Sequence, residues 1–516
     1  MRKLLRFPFF PFLAGLLPVL ILWNFNKSQV YPRDVLLALV LTAGFVIVSW
    51  ALALLLFRNL AKVSVASSLY FLLFFSYGHI YNLISKSPAL SASIGFVKLA
   101  AGFLLLLALT TWLAARVKRL PLFTVQLLNG VLAFLLVINL GQILAFEANR
   151  KRADTAVAKT LTSEETPQGA AAGEDLPDIY YIILDAYSRQ DILQSSLNFD
   201  NSDFINGLRQ RGFYVADCAN SNYDETVSSV LSSLNYSYIE DGNKGTDGTA
   251  LDLKNNRIRY DLKPYGYQFV STKAFSSEND INNADIYLNY RTDQGMKDTM
   301  AQAQFMDLYL QTTLLRTAFE LYRMDPVRYN ILPGWLFVSN NKDDVLGYAS
   351  FWYYQTKYVF DTLADFPQRP GNFLIYAHIN APHGPYVFDR NGNFKYTYNP
   401  EDNAPYYLEQ VEYVNKRVLE LVDALIIGSD VPPIIILQAD HGAHVLTSGM
   451  DKHKILSAYY LPGAALNDLY ETITPVNTFR LILRDYFDRD IQLLPDSILL
   501  KSDGKLETVP STCPVP

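Results

Sequence analysis

Five apolar runs in the first 147 residues decide what this chain can fold into. They lie near Pro8–Trp23, Val35–Phe57, Val63–Ile84, Phe96–Ala115 and Phe123–Phe146. Each approaches the roughly 20 residues that an α-helix needs to cross a hydrocarbon layer of about 30 Å. Backbone in lipid must satisfy its own polar groups, so the runs are expected as helices of a five-span transmembrane bundle over residues 1–147. Arg2, Lys3 and Arg6 precede the first run in the manner of a signal peptide. No small-residue cleavage site follows and four more runs do, so the first is expected to remain as a span.

Basic residues give the orientation. With the N-terminus inside, the cytoplasmic segments carry Arg2, Lys3, Arg6, Arg58, Lys62, Arg116, Lys118 and Arg119, whereas the opposite loops carry Lys27, Arg33 and Lys86. An odd number of spans then sends everything after Phe146 outward. The expectation is a multi-pass protein of the inner or plasma membrane with a cytoplasmic N-terminus and a periplasmic or extracellular remainder. The spans hold almost no ionisable residues, which argues against a transport pathway. Lys98 is expected to snorkel outward and His79 to be a packed or interhelical polar residue. A net charge of −6 argues against nucleic acid as a partner.

Residues 148–176 are poor in large apolar side chains and rich in Ala, Thr, Glu and Gly, as a tether or loose helix would be. Residues 177–516 are long enough for a core of their own. Strand-like runs recur at Ile179–Leu184, Phe213–Ala216, Tyr267–Ser271, Phe373–Ala377 and Ile434–Gln438. Between them, Asn201–Gln210, Asp298–Tyr322, Phe351–Ala364 and Tyr406–Leu425 have helical spacing. The alternation predicts an α/β domain with a mainly parallel sheet.

Two of the strand-like runs stop on metal-type ligands, Asp185 in one and the Asp440–His441 pair in the other. In open α/β sheets the ligand crevice lies outside the carboxyl ends of the strands, so such residues converge there from distant sequence positions. Of six histidines, five fall between residues 378 and 453: His378, His383, His441, His444 and His453. Imidazole beside a strand-end carboxylate suits Zn²⁺ or Mn²⁺ better than Ca²⁺, with Mg²⁺ as a further option. A nucleophile fits at Thr226, where a turn-rich segment runs into a helix-forming stretch; an ordinary threonine N-cap is the alternative. Cys218 and Cys513 either pair in an oxidising compartment or stay as two thiols. Trp352, Tyr353 and Tyr354, or Tyr406 and Tyr407, serve either core packing or glycan stacking.

The chain shows, in order, IYYIILDAY at 179–187, SNYDETVSSVLSSLN at 221–235, AHINAPHGPYVFD at 377–389, ILQADHGAH at 436–444 and TPVNTFRLILRDYF at 474–487. In these it resembles the alkaline phosphatase/sulfatase superfamily, and the five preceding runs resemble those of lipoteichoic acid synthases and lipid A phosphoethanolamine transferases. The resemblance implies a sulfatase-like fold in which Asp185, Thr226, Asp440 and His441 hold one catalytic divalent ion and Thr226 is the nucleophile. It implies that His383, and His378 from the same strand end, contact the phosphoryl group, with a hydrogen-bonded place behind the ligands as the alternative for His378. His453 is spaced like a substrate histidine of some phosphoethanolamine transferases, with a solvated basic loop as the alternative, and His444 is a further candidate substrate contact.

Asp185 departs from the Glu usual in those two transferase families. A threonine cannot yield the formylglycine of sulfatases, which counts against sulfate ester hydrolysis. The function implied is transfer of a phospholipid head group, of the glycerol phosphate or ethanolamine phosphate type, to an envelope glycan or lipid through a phosphothreonine. A phosphodiesterase or phosphatase is the alternative, with a sulfuric ester hydrolase and a non-catalytic binding protein behind it.

Overall fold

The structure, a computed structural model, describes residues 6–513 apart from 28–29, 88–89, 91–92, 164–175, 241–243, 275–277, 295–299, 319–320, 322–346, 396–403, 446–448 and 503–504. The chain forms two compact units: residues 1–151 with 299–348, and residues 152–298 with 349–516.

The first unit is helical. Helices α1 (Phe10–Phe25), α2 (Pro32–Phe57), α3 (Leu60–Ser85), α4 (Phe96–Arg116) and α5 (Leu122–Ser163) follow the five apolar runs. Four helices, α2 to α4 and the Leu122–Asn149 part of α5, are long and apolar enough to cross a membrane; α1 is shorter, at 16 residues. Helix α2 ends on Arg58 in the left-handed region, and Asn59 then caps α3 by accepting from the Ala61 and Lys62 amides. These two residues make the tight reversal between the spans. Lys98 reaches back to the Ser93 carbonyl and is exposed, and His79 is also exposed rather than packed between helices. Helix α5 continues beyond Phe146 into the stretch expected as a tether, whose residues 164–175 lie outside the described ones.

A further helix of this unit comes from far along the chain. The helical pattern at Asp298–Tyr322 forms as Met300–Thr312, and its Phe305, Met306, Tyr309 and Leu310 join Val35, Ala38, Val46, Phe71 and Phe75 in one buried cluster. The Thr42 hydroxyl is 3.0 Å from that of Tyr309, and the Leu314 amide donates to the Phe74 carbonyl. Gly78 lets this segment close on α3: a Cβ there would stand 1.9 Å from the Gln311 carbonyl oxygen.

The second unit is built on a seven-stranded sheet. Its chain-order strands are β1 (Ile179–Leu184), β2 (Tyr214–Val215), β5 (Tyr267–Thr272), β6 (Ile286–Leu288), β7 (Asn372–Ile379), β8 (Ile434–Gln438) and β9 (Ser457–Tyr460). Two hairpins lie outside it, β3 (Ile239–Glu240) with β4 (Lys244–Gly245) and β10 (Ser497–Ser502) with β11 (Lys505–Pro510). The sheet order is β2-β9-β8-β1-β7-β5-β6, parallel from β8 through to β6. β9 returns antiparallel beside β8 without a crossover helix, and β2 pairs antiparallel with β9. Every residue of β1 and β8 is buried, as parallel strands covered on both faces should be.

Trp352 and Tyr407 are core residues, 2% and 1% exposed, so they do not face a glycan. The Tyr407 hydroxyl is spent on the Ala186 carbonyl. Cys218 and Cys513 are joined in a disulfide.

Candidate active site

β1 is the central strand, with β8 on one side and β7 on the other, and Ile183 is in register with both Gln438 and His378. Parallel direction therefore brings three carboxyl ends together, and with them Asp185, His378 and the Asp440–His441 pair. All four are buried. The chain turns sharply after Asp185, with Ala186 at φ 61°, a left-handed conformation rare outside glycine. That turn aims the Ala186 amide at Asp440 Oδ1, 3.1 Å away.

The two carboxylates are dressed alike. Asp440 Oδ1 accepts from the Ala186 and His441 amides, at 3.1 and 3.0 Å. Asp185 Oδ2 is paired with His378 Nε2 at 3.1 Å. The other oxygen of each, Asp185 Oδ1 and Asp440 Oδ2, is buried without a hydrogen-bond partner. Each lies 3.6 Å from His441 Nε2. The Nδ1 of His441 is 2.8 Å from the Gly442 carbonyl, which can only accept, so Nδ1 carries the hydrogen and Nε2 a lone pair in the neutral ring.

Thr226 completes the group. It is the first residue of the helix Thr226–Leu234, and Glu225 rather than Thr226 is the N-cap. Its hydroxyl lies 3.3 Å from His441 Nε2. The loop before it is latched from two sides: Asn222 accepts from the Val476 amide and donates to the Ser497 carbonyl, while Ser221 and His453 exchange backbone and ring hydrogen bonds. His453 is thus buried against the loop that leads into Thr226 and not part of a solvated one.

Two buried carboxylate oxygens without partners cost several kcal/mol unless a cation meets them. The donor set fits one. A tetrahedral ion with ligand bonds of about 2.0–2.2 Å sets its ligands about 3.3–3.6 Å apart, the range of the separations from His441 Nε2 to Asp185 Oδ1, Asp440 Oδ2 and Thr226 Oγ1. Asp185, His378 and Asp440 also offer ligand-type atoms within 4.8 Å of one another.

Burial alone would raise the Asp185 carboxyl, but the charge of His383 and the hydrogen bond and charge of His378 outweigh it and hold the group well below the usual carboxylate range. Burial alone would lower His378 and His441. Asp185 raises the first, through its hydrogen bond and charge, and Asp440 followed by Asp185 raises the second. His383, on the loop after β7, donates its backbone amide to the Asp185 carbonyl, and its Nδ1 lies 2.6 Å from the Gly384 carbonyl. Its ring is 6.1 Å from that of His441 and 5.0 Å from that of His444. His444 is exposed, yet desolvation of its ring, followed by the neighbouring His441 and His383, pushes it down to about 4. His453 is lowered by burial, against the opposing Ser221 carbonyl and Asp224 charge.

The structure thus assembles Asp185, Thr226, Asp440 and His441 around one point, adds His383 and His444 beside His441, and sets His378 and His453 behind Asp185 and the Thr226 loop. Three participants escaped sequence reasoning: Tyr376, 2.9 Å from His378 Nδ1, and the Gly442 and Gly384 carbonyls that fix two ring tautomers. Alternation along β7 sets Tyr376 and His378 on one face, a signal present in the sequence.

The sulfatase family model matches residues 177–479, more than half of the chain, and the protein belongs to the sulfatase family. Solved structures similar to it include the zinc complex of the C-terminal periplasmic domain of EcEptC from Escherichia coli (10% identity, TM-score 0.42, covering 66% of this chain and 94% of that one). Another is the integral membrane protein lipooligosaccharide phosphoethanolamine transferase A from Neisseria meningitidis (13% identity, TM-score 0.35, covering 92% and 94%). A third is the lipoteichoic acid synthase LtaP from Listeria monocytogenes (10% identity, TM-score 0.37, covering 63% and 76%). No curated protein matches the chain in sequence.

Proposed function

We propose that this protein is a membrane-anchored phosphoryl-group transferase whose donor is a phospholipid head group. The observation that carries the reading is the pair of unpartnered buried oxygens, Asp185 Oδ1 and Asp440 Oδ2, facing His441 Nε2 and the Thr226 hydroxyl. Asp185, Thr226, Asp440 and His441 would hold one divalent ion, Zn²⁺ or Mn²⁺ by the chemistry of the donors. Such an ion lowers the pKa of a bound hydroxyl and offsets charge on phosphoryl oxygens.

The chain's own groups do the rest. Thr226 Oγ attacks phosphorus as its proton passes to water, the bond from phosphorus to the diacylglycerol oxygen breaks, and the head-group phosphate stays on Thr226 as a phosphodiester. The departing alkoxide takes a proton from His383, beside His441, and His444, held neutral, is left as a substrate contact. In the second half an acceptor hydroxyl of an envelope glycan or lipid gives its proton to His383 and attacks the phosphothreonine, and the Thr226 oxygen leaves and regains a proton from water. His453, buried against Ser221, holds the loop that carries Thr226.

Five N-terminal spans with a cytoplasmic start would set the second unit on the outer face of the inner or plasma membrane, beside its lipid donor. Residues 1–147 would then be the membrane domain, 148–176 a connection and 177–516 the catalytic domain, with the Met300–Thr312 helix packed into the first. Threonine in place of a formylglycine precursor disfavours sulfate esters.

The test is head-group release from vesicles of labelled phosphatidylethanolamine and phosphatidylglycerol by the full-length protein with Mn²⁺ or Zn²⁺, beside Thr226→Ala. Diacylglycerol formed by the wild type alone supports the reading. Turnover of soluble phosphodiesters with no lipid turnover would replace it with a phosphodiesterase.

A further inference from the structure

We infer that His378, held by Tyr376, is a positioning residue that orients Asp185, and neither ligates the cation nor touches the phosphoryl group. The inference rests on the proposed role of Asp185 as a ligand. Proximity alone points elsewhere, because His378 Nε2 lies close enough to both carboxylates to count among the potential ligands. Hydrogen-bond chemistry decides the matter. An ionised carboxylate has only acceptors, so the nitrogen 3.1 Å from Asp185 Oδ2 must carry the hydrogen. A protonated ring nitrogen has no lone pair for a metal.

The other nitrogen agrees. Tyr376 is buried, and its neutral phenol lies 2.9 Å from Nδ1. The consistent chain of donors runs from Tyr376 O–H to Nδ1 and from Nε2–H to Asp185 Oδ2. His441 is arranged the opposite way, its Nδ1 hydrogen given to a carbonyl and its Nε2 lone pair turned to the site. One imidazole thus has the tautomer of a ligand and the other that of a support.

The backbone fixes this support in place. The His378 amide donates to Thr272 Oγ1, and the same hydroxyl returns a hydrogen bond to the His378 carbonyl, so β5 clips the residue of β7 that carries the ring. Asp185 has a short side chain with two rotatable bonds. Tying Oδ2 to His378 fixes the carboxylate plane and leaves Oδ1 facing His441. Partners of this kind behind metal ligands typically govern affinity by about 10–100-fold.

Zn²⁺ affinity of the metal-stripped full-length protein, measured by chelator competition, tests the assignment, with Asp185→Asn and the wild type defining the loss of a ligand. His378→Leu is expected to weaken Zn²⁺ about 10–100-fold, with turnover recovered as Zn²⁺ is raised and with KM for the lipid unmoved. His378→Gln, which restores an N–H donor at the Nε2 position, should return within about threefold of wild type, and Tyr376→Phe should fall between. The melting temperature of each stripped variant shows that it folds, and Tyr376→Phe and His378→Gln keep the test open if His378→Leu does not. His378→Gln as damaging as Asp185→Asn would make His378 a ligand. Wild-type Zn²⁺ affinity in His378→Leu with a raised KM would make it a substrate contact. Either result overturns the inference while leaving the proposed function standing; a wild type that binds no divalent ion removes both.

Discussion

The two units put their large apolar side chains in opposite places. In the first, Leu55, Leu105 and Phe123 are each more than 70% exposed, while Thr42 and Ser64 are buried. In the second, the apolar strands β1 and β8 are wholly buried. An apolar exterior over helices of spanning length is stable in hydrocarbon, which has no drive to hide it. A parallel sheet in water hides its strands and gathers the polar residues at their carboxyl ends. The difference shows in the hydrogen bonds. The bundle pairs Thr42 with Tyr309, whereas the carboxyl ends of the central strands leave two carboxylate oxygens facing one histidine, His441, without a hydrogen-bond partner. Lipid would complete the one unit, and an ion the other.

Asp440→Asn should break this comparison most severely. It removes a charge from the cation site, and loss of turnover by at least about 1,000-fold is expected, with bound Zn²⁺ falling below one equivalent by elemental analysis. The first unit should be untouched, as judged by its helical circular dichroism in detergent.

The disulfide offers the next largest effect, confined to the second unit. Cys218 precedes the Thr226 loop, and Cys513 follows the hairpin that packs on Asn222. Replacing both cysteines by serine is expected to cost about 2–4 kcal/mol, read as a lower melting temperature of the second unit's transition in calorimetry.

Gly78→Ala probes the first unit in the same way. The added Cβ meets the backbone of Gln311 and Thr312 at 1.9 and 2.7 Å, so α3 and the returning segment must part, at a cost of about 1–3 kcal/mol. Limited proteolysis within Met300–Thr312 should accelerate. Gly44→Ala, with nothing within 4 Å of the new atom, is the control.

A further effect, comparable in size, concerns pH. Burial pushes the Asp178 carboxyl up to about 6, against the opposing hydrogen bonds of the Phe373 amide and the Tyr180 hydroxyl. A carboxyl whose folded pKa exceeds its unfolded value binds its proton more tightly when folded. Its contribution is therefore complete below about pH 4 and is lost as pH rises through about 6, a change on the order of 2–3 kcal/mol. Thermal unfolding between pH 4 and 7 should lose that slope in Asp178→Asn, and a slope that survives would assign it to another group.

Legibility in the sequence also separates the units. The spans could be read because run length alone marks them, and β1 and β8 because a buried parallel strand is a continuous apolar run. β6 (IYL) and β9 (SAYY) escaped because they are short and mixed. The Met300–Thr312 helix was legible as a helix, but periodicity does not say against which unit a helix packs. At the site, the motifs pointed to Asp185, Thr226, Asp440 and His441, four residues that the fold brings together. The place of His378 depended on register with Ile183 and on a tyrosine two residues earlier, and that information lives in the sheet. Trp352 and Tyr407 show the same limit, since an aromatic pair reads alike in a core and on a binding face.

The central claim is that Thr226 carries the head-group phosphate during turnover. The most direct measurement is mass spectrometry of peptides from protein quenched during reaction with phosphatidylethanolamine or phosphatidylglycerol vesicles. A head-group phosphodiester mapped to Thr226, and absent from Thr226→Ala, is the result this account requires. Steady turnover with no adduct at Thr226, or with one on another residue, would contradict it.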